Sequence, residues 1–167
     1  MVSKIATFCS TAAFATVLGL SAASVASAQN AVQTVADSGI VRVKSAYSVP
    51  ETVARLKADV AAKGIRFFEE IDQAKLAADA GIKLRPSTLL VFGNPPLGTL
   101  FIRSNPLAAP DWPVRLLVLE DENGQVWAAY TDFSYIAKRH AIEGTDAEAF
   151  KTASGVIASI TSSVKAQ

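Results

Sequence analysis

The stretch TLLVFGNPPLGT, residues 88–99, decides the fold, because it admits two incompatible readings. An apolar run ending in Gly93, four residues and Gly98 has the outline of a strand feeding a nucleotide-binding P-loop, which would make the chain a parallel α/β protein. That loop needs a lysine on the terminal phosphates, a hydroxyl on magnesium and consecutive backbone N–H donors. Here Thr99 and Leu100 follow Gly98 with no lysine, and Pro95 and Pro96 occupy the loop interior. Each proline lacks an N–H and fixes its own φ, so two of the donors do not exist. The remaining reading is a rigid turn at a strand's end. Pro95 drives Asn94 to an extended conformation, and Gly98, expected at positive φ, leads into the segment LFIRSN.

The strand itself, Ser87 to Phe92, is apolar on both faces and reads as a central strand. On the C-terminal side, VRLLVLE and QVWAAYT flank DENG, and Asn123-Gly124 is a strong hairpin signal. The cluster Glu120, Asp121, Glu122 invites a calcium reading. It fails on register, since Gly124 at the sixth position of an EF-hand loop would put Leu119 at the first. These carboxylates are expected to solvate the turn. On the N-terminal side, IRFFEEI is a strand with Phe67 and Glu69 on one face and Phe68 and Glu70 on the other. Asp72 caps a short alanine-rich helix ending at Gly81.

Further out, IVRVKSAY from Ile40 alternates as a half-buried strand does. Ser48 and Glu51 form a capping box ahead of a helix whose Val53, Leu56 and Val60 share a face, and Gly64 supplies its stop. After the hairpin, Phe133, Ile136 and Ala137 mark a helix. A second capping box, Thr145 with Glu148, opens another helix that repeats through Phe150, Ala153, Ile157, Ile160 and Val164. Leu100 to Ser104 is expected to form one or two helical turns. These elements predict one α+β domain over residues 40–166, a mainly antiparallel sheet covered by helices.

The first 28 residues carry Lys4, an apolar stretch rich in small residues, and Ala26-Ser27-Ala28. That is the pattern of a secretory signal cleaved before Gln29, with no charged stop-transfer flank to make it an anchor. Cys9 lies too early, behind the bulky Phe8, for a lipoprotein site. Removing 28 of the 167 residues leaves 139, and takes away the only cysteine. The mature chain then has no disulfide and no thiolate ligand, and it is expected in the periplasm or outside the cell. Residues 29–39, small and polar, read as a flexible leader. Lys plus Arg falls from 16 to 15 against 15 Asp plus Glu. A balanced charge gives no long-range pull toward nucleic acid or, once the signal is gone, toward a membrane.

Taken in order, GIRFFEEIDQA, LRPSTLLVFGNPPLGT, DWPVRLLVLEDENGQVWAAY and YIAKRHAI resemble family 302 of the domains of unknown function, over roughly Ser45 to Ile142. The resemblance implies a small α+β fold that associates as a homodimer, and no established activity, cofactor or catalytic residue. The family pattern often has histidine after the position of Asp72 and methionine after the glycine turn. This chain has Gln73 and Phe101-Ile102 there, which lowers its prospects as a metal site.

His140 is the only histidine, so a multi-histidine metal centre within one chain is excluded by count. Neither a metal nor a cofactor is expected. The structural reading of His140 is a ring packed at the sheet edge, one nitrogen bonded to backbone or carboxylate. The functional one pairs it with Arg139 facing an anion, and a dimer axis would bring two such rings together. Arg85 either forks onto a ligand carboxylate or phosphate, or bridges internally to Asp72, Asp111 or Glu120. Trp112 and Trp127 are expected in the core. Tyr130, Asp132, Ser134 and Thr99 offer hydroxyls and a carboxylate, but no nucleophile elbow, H-E-x-x-H helix or dinucleotide fingerprint accompanies them. Two functions remain. One is a non-catalytic binding module, holding a small anionic ligand or a protein between the turn at Asn94 and the Arg139-His140 helix. The other is an enzyme on a small anionic substrate using Arg85, Thr99, Asp132 and His140.

Overall fold

A computed structural model describes residues 32–35, 38–143 and 147–166. Residues 1–28, the cleavage site and Thr145 of the second capping box lie outside the described residues. Six strands form one antiparallel sheet: β1 (Val32–Val35), β2 (Ile40–Lys44), β3 (Arg66–Asp72), β4 (Ser87–Gly93), β5 (Val114–Glu120) and β6 (Val126–Thr131). Their spatial order is β1-β2-β6-β5-β4-β3, every neighbouring pair antiparallel. Residues 32–35, read from sequence as part of a flexible leader, instead form the edge strand β1. Their pairing comes from β2, a partner that a four-residue segment with no apolar alternation does not announce.

Alternation puts Leu90 and Phe92 of β4, Leu116 and Val118 of β5 and Val41 and Val43 of β2 on one face. All are buried there under the helices α1 (Val49–Ala62), α3 (Pro95–Ser104), α4 (Phe133–Arg139) and α5 (Ala147–Ser162). The short helix α2 (Gln73–Asp79) buries none of its residues. Within α1, Ser48 caps by accepting from the Glu51 N–H at 3.4 Å. Glu51 does not return the bond but pairs with Arg55 at 3.0 Å. Phe101 of α3 stacks on Phe150 of α5 at 3.9 Å between ring centroids and meets the edge of Trp112 at 6.1 Å.

Three local expectations are overturned. First, β3 carries a bulge between Phe67 and Glu69. The extra residue puts Phe67 and Glu70 on the same, helix-covered face, where Lys57 of α1 bonds Glu70 at 2.5 Å and lies over the Phe67 ring. Second, the segment after Gly93 is no extended turn. Asn94 is extended, as its proline neighbour requires, but it caps α3 at once by accepting from the Leu97 N–H at 3.3 Å. Pro95 and Pro96 occupy the first helical positions, where a missing N–H costs nothing. Third, Gly98 has no positive φ. A Cβ there would lie 1.9 Å from Cε2 of Trp112, so glycine is required by the close approach of an indole.

The Asn123-Gly124 hairpin forms, with Gly124 at φ +74. Its loop is one residue longer than a two-residue turn: Gly124 N–H bonds the Asp121 carbonyl at 3.1 Å and Asp121 N–H bonds Gln125 at 2.9 Å. Asp121 organises this loop rather than merely solvating it. Its carboxylate accepts from Trp127 Nε1 at 2.8 Å and from the Gln125 and Asn123 N–H groups, each at 2.9 Å. The Trp127 bond above all, then those backbone donors, holds it below the usual carboxylate range. Trp127 is buried, but on the face opposite the helices, capped by Arg42 at 4.7 Å.

Candidate functional site

The residues nominated from sequence separate along the fold. Helix α4 begins at Asp132, whose Oδ1 accepts from the Ser134 and Tyr135 N–H groups at 2.7 and 3.0 Å and from the Ser134 hydroxyl. It ends at His140, about 12 Å further along at the helical rise. There the ring is 9% exposed, and Nε2 sits 2.7 Å from Oδ2 of Asp111, itself 10% exposed. Asp111 closes a 3-10 segment, Pro106–Asp111, and its other oxygen is 3.4 Å from Nη1 of Arg139. Asn105 Nδ2 donates to the His140 carbonyl at 3.0 Å. His140 is thus a buried tie between two segments. Of the partners open to the structural reading, backbone or carboxylate, the ring takes a carboxylate, that of Asp111.

Thr99 is exposed and spends its hydroxyl on the Pro95 carbonyl at 2.9 Å. Asn94 is exposed and spends its side chain on the helix cap. Arg85 is exposed and makes none of the internal bridges expected of it. It precedes β4 while Asn94 follows it, a separation of about 23 Å for a seven-residue strand. Tyr130 points into the core, where burial pushes its phenol up. Arg85, Thr99, Asp132 and His140 therefore do not converge on an acid-base pocket. The groove expected between the Asn94 turn and the end of α4 is filled too: Trp112, Leu97 and Phe133 leave an apolar cavity of about 30 Å³.

An open groove does exist, on the other side of α4. A cavity of about 760 Å³ lies between the β1–β2 corner, through Thr34, Val35 and Gly39, and α4, through Asp132, Ser134, Tyr135, Lys138 and Arg139. The two walls are stitched by the Asp132 N–H, which donates to the Gly39 carbonyl at 2.8 Å. Gly39 has φ +68, and a Cβ on it would meet the Tyr135 ring at 2.3 Å. Lys138 is exposed and has no ion-pair partner among the described residues. Arg139 is half-exposed, and among the described residues its ion-pair partner is Asp111. Two cations face one carboxylate, against a wall made partly of Val35 and the Tyr135 ring.

Of the sequence nominations, Asp132 and Arg139 meet in this groove; Arg85, Asn94, Thr99 and His140 do not. Lys138, Tyr135 and Gly39 were missed. The spacing of Ser134, Tyr135 and Lys138 at three and four residues places them on one helical face. The second wall was invisible while residues 32–35 were read as leader.

Residues 41–160 match the family described as Domain of unknown function DUF302. The chain belongs to the DUF302 family. A crystal structure of an uncharacterized conserved DUF302 protein from Bacillus stearothermophilus shares the fold, with a TM-score of 0.69 over 77% of this chain and 99% of that one at 16% identity. The chain is also 38% identical over 106 residues to proteins named Fluoride-specific ion channel FluC 1 from Brucella suis and Brucella abortus, and FluC 2 from Brucella melitensis. That match covers 64% of this chain and only 42%, 39% and 39% of those relatives, so the chain spans about two fifths of their length. No helix among the described residues is long and apolar enough to cross a membrane.

Proposed function

We propose that this DUF302 chain is a non-catalytic binding module that works outside the cytoplasm and holds a small anionic ligand in the groove between the β1–β2 corner and α4. The observation that carries the reading is the pairing of an open groove of about 760 Å³ with Lys138, whose charge nothing among the described residues neutralises. Of the other nominated groups, Asn94, Thr99 and His140 are consumed by a cap and by ties within the fold. An anion placed between Lys138 and Arg139 gains charge-assisted bonds, and the Tyr135 ring and Val35 offer contact to an apolar body. Export rests on the Ala26-Ser27-Ala28 pattern, with removal of residues 1–28 and location in the periplasm or beyond. No metal, cofactor, nucleic acid or membrane enters the reading once the signal is removed.

Amide NMR with inorganic phosphate and acetate as probes tests it. Shifts should centre on Gly39 and residues 134–139 and shrink in Lys138→Ala. Shifts spread evenly over the surface, or unchanged in that variant, would overturn the assignment.

The Brucella proteins favour a more specific version. More than half of each lies outside the matched region, room enough for apolar helices of about 20 residues. On this version the DUF302 part is an extramembrane companion to anion transport, and this chain handles a small anion in the same setting. Fluoride competing with phosphate for the groove supports it, and indifference to fluoride removes it. The enzymatic alternative keeps the same groove and substrate class, with Asp132 as its carboxylate. It is favoured only if the bound compound is converted.

A further inference from the structure

A second cavity, of about 480 Å³, opens where the first turn of α1 passes the end of β3 and the start of β4. Its size is that of a small-ligand pocket, and it shares no lining residue with the groove beside α4. Val49 and Pro50 of α1 and Leu84 and Pro86 ahead of β4 give it apolar walls, and its titratable lining consists of two acids, Glu70 and Asp72. Strand pairing explains why polar groups gather here. Glu70 and Asp72 are two residues apart and share a face of β3. Asp72 pairs directly with Thr88 of β4, which puts their Cβ atoms about 5 Å apart on that face.

Thr88 is the decisive residue. It is only 9% exposed, yet its hydroxyl bonds no group among the described residues and is not sealed from the cavity that it lines. An unpaired hydroxyl so far withdrawn from bulk water carries a cost that a ligand removes. The two acids beside it differ. Glu70 is held by Lys57 at 2.5 Å. Asp72 spends one oxygen on the Lys75 N–H at 2.9 Å, which leaves the other with no partner among the described residues. The neighbouring Ser87 hydroxyl is already spent on Gln73 at 2.8 Å.

We infer that this cavity binds a primary ammonium group on an apolar stem, with the cation between Asp72 and Thr88 and the stem against the walls of Val49 and Leu84. An ammonium has three donors and no acceptor. One donor goes to the free oxygen of Asp72 as a charge-assisted bond, and a second goes to the Thr88 hydroxyl oxygen. An anion would instead meet two carboxylates. A hard metal ion takes about six oxygens or more, and the described residues hold no cluster of three His, Cys, Asp or Glu side chains.

Amide NMR titration of the exported chain with n-hexylamine, n-hexanol and an N-acetyl-lysine amide tests the site. Hexylamine should shift residues 49–53 and 84–88 saturably, and hexanol, which has the stem without the charge, should bind about tenfold more weakly or worse. Asp72→Asn keeps an oxygen for the α2 cap and removes the charge. It should weaken hexylamine by about tenfold and leave hexanol unchanged. Thr88→Val keeps the shape and removes the hydroxyl, and should weaken the amine by about threefold or more. Either variant decides the matter if the other fails to fold. The lysine derivative separates the sources of the ammonium: tighter binding than hexylamine names a lysine side chain of a partner, and weaker binding names a free amine. No saturable shift, hexanol binding as well as hexylamine, or an amine affinity indifferent to Asp72→Asn or to Thr88→Val would each overturn the inference.

Discussion

The closed C-terminal end of α4 and its exposed side use the same kinds of residue to opposite effect. At its C-terminal end, His140 is tied to Asp111 through its ring and to Asn105 through its carbonyl, and the ring and the Asp111 carboxylate are largely withdrawn from water. Along its exposed side, Lys138 and Arg139 face an open groove with one carboxylate to answer them. A lone histidine draws attention in a sequence because its ring can do chemistry. Here the ring and the Asp111 carboxylate are occupied in holding the 3-10 segment to the helix, and unoccupied charge sits on the less conspicuous lysine nearby. A polar group already satisfied within the fold stabilises it; a desolvated wall with an unanswered charge is what a ligand improves.

Substitutions at the closed end should therefore cost stability and leave binding intact, while those in the groove should do the reverse. The largest effect is expected at Gly98, behind the same layer. A methyl group there collides with the Trp112 indole, and Gly98→Ala should destabilise by about 3 kcal/mol or more in a denaturant titration. A cost below about 1 kcal/mol would show that the indole can step aside. His140→Ala should follow at about 2 kcal/mol, since it opens space and strands the Asp111 carboxylate. His140→Gln, which keeps a polar contact and some volume, should cost about half as much.

Some of this arrangement is legible in the sequence, and the reason is locality. Helix α1 is written in adjacent residues: a serine cap, apolar spacing of three and four, and Gly64 at φ +64. The hairpin at Asn123-Gly124 is similarly local. The bulge in β3 is not, because one extra residue is defined only against β4, and without it the faces of Phe67 and Glu69 are assigned wrongly. The start of α3 misled for another reason. Asn-Pro-Pro suits a turn and a helix N-terminus equally, and only the helix that follows distinguishes them. Gly98 reads as a conformational glycine, since the indole that demands it comes from a residue fourteen positions away. The groove was half legible: α4 carries its pattern in sequence, but β1 exists only through β2.

A smaller effect sharpens the comparison from the far side of the sheet. Asp121, like Asp111, is a carboxylate already answered, by Trp127 and two backbone N–H groups. Its pKa is depressed on folding, so its contribution is present above the unfolded carboxylate pKa of about 3.9. That contribution is lost as pH falls through the lower, folded value. Asp121→Asn should flatten this acid limb of the stability curve below about pH 4. An unchanged acid limb would mean that the loop does not hold the charge. The smallest effect on stability belongs to Lys138→Ala, below about 0.5 kcal/mol for an exposed side chain without a partner.

The measurement that bears most directly on the groove is native mass spectrometry of three proteins purified side by side from the exported fraction: the native chain, Lys138→Ala and His140→Gln. A retained small anion present on the native chain and on His140→Gln, and absent from Lys138→Ala, is the result predicted. A retained mass that survives Lys138→Ala and disappears with His140→Gln would place the site at the closed end of α4 and contradict the account.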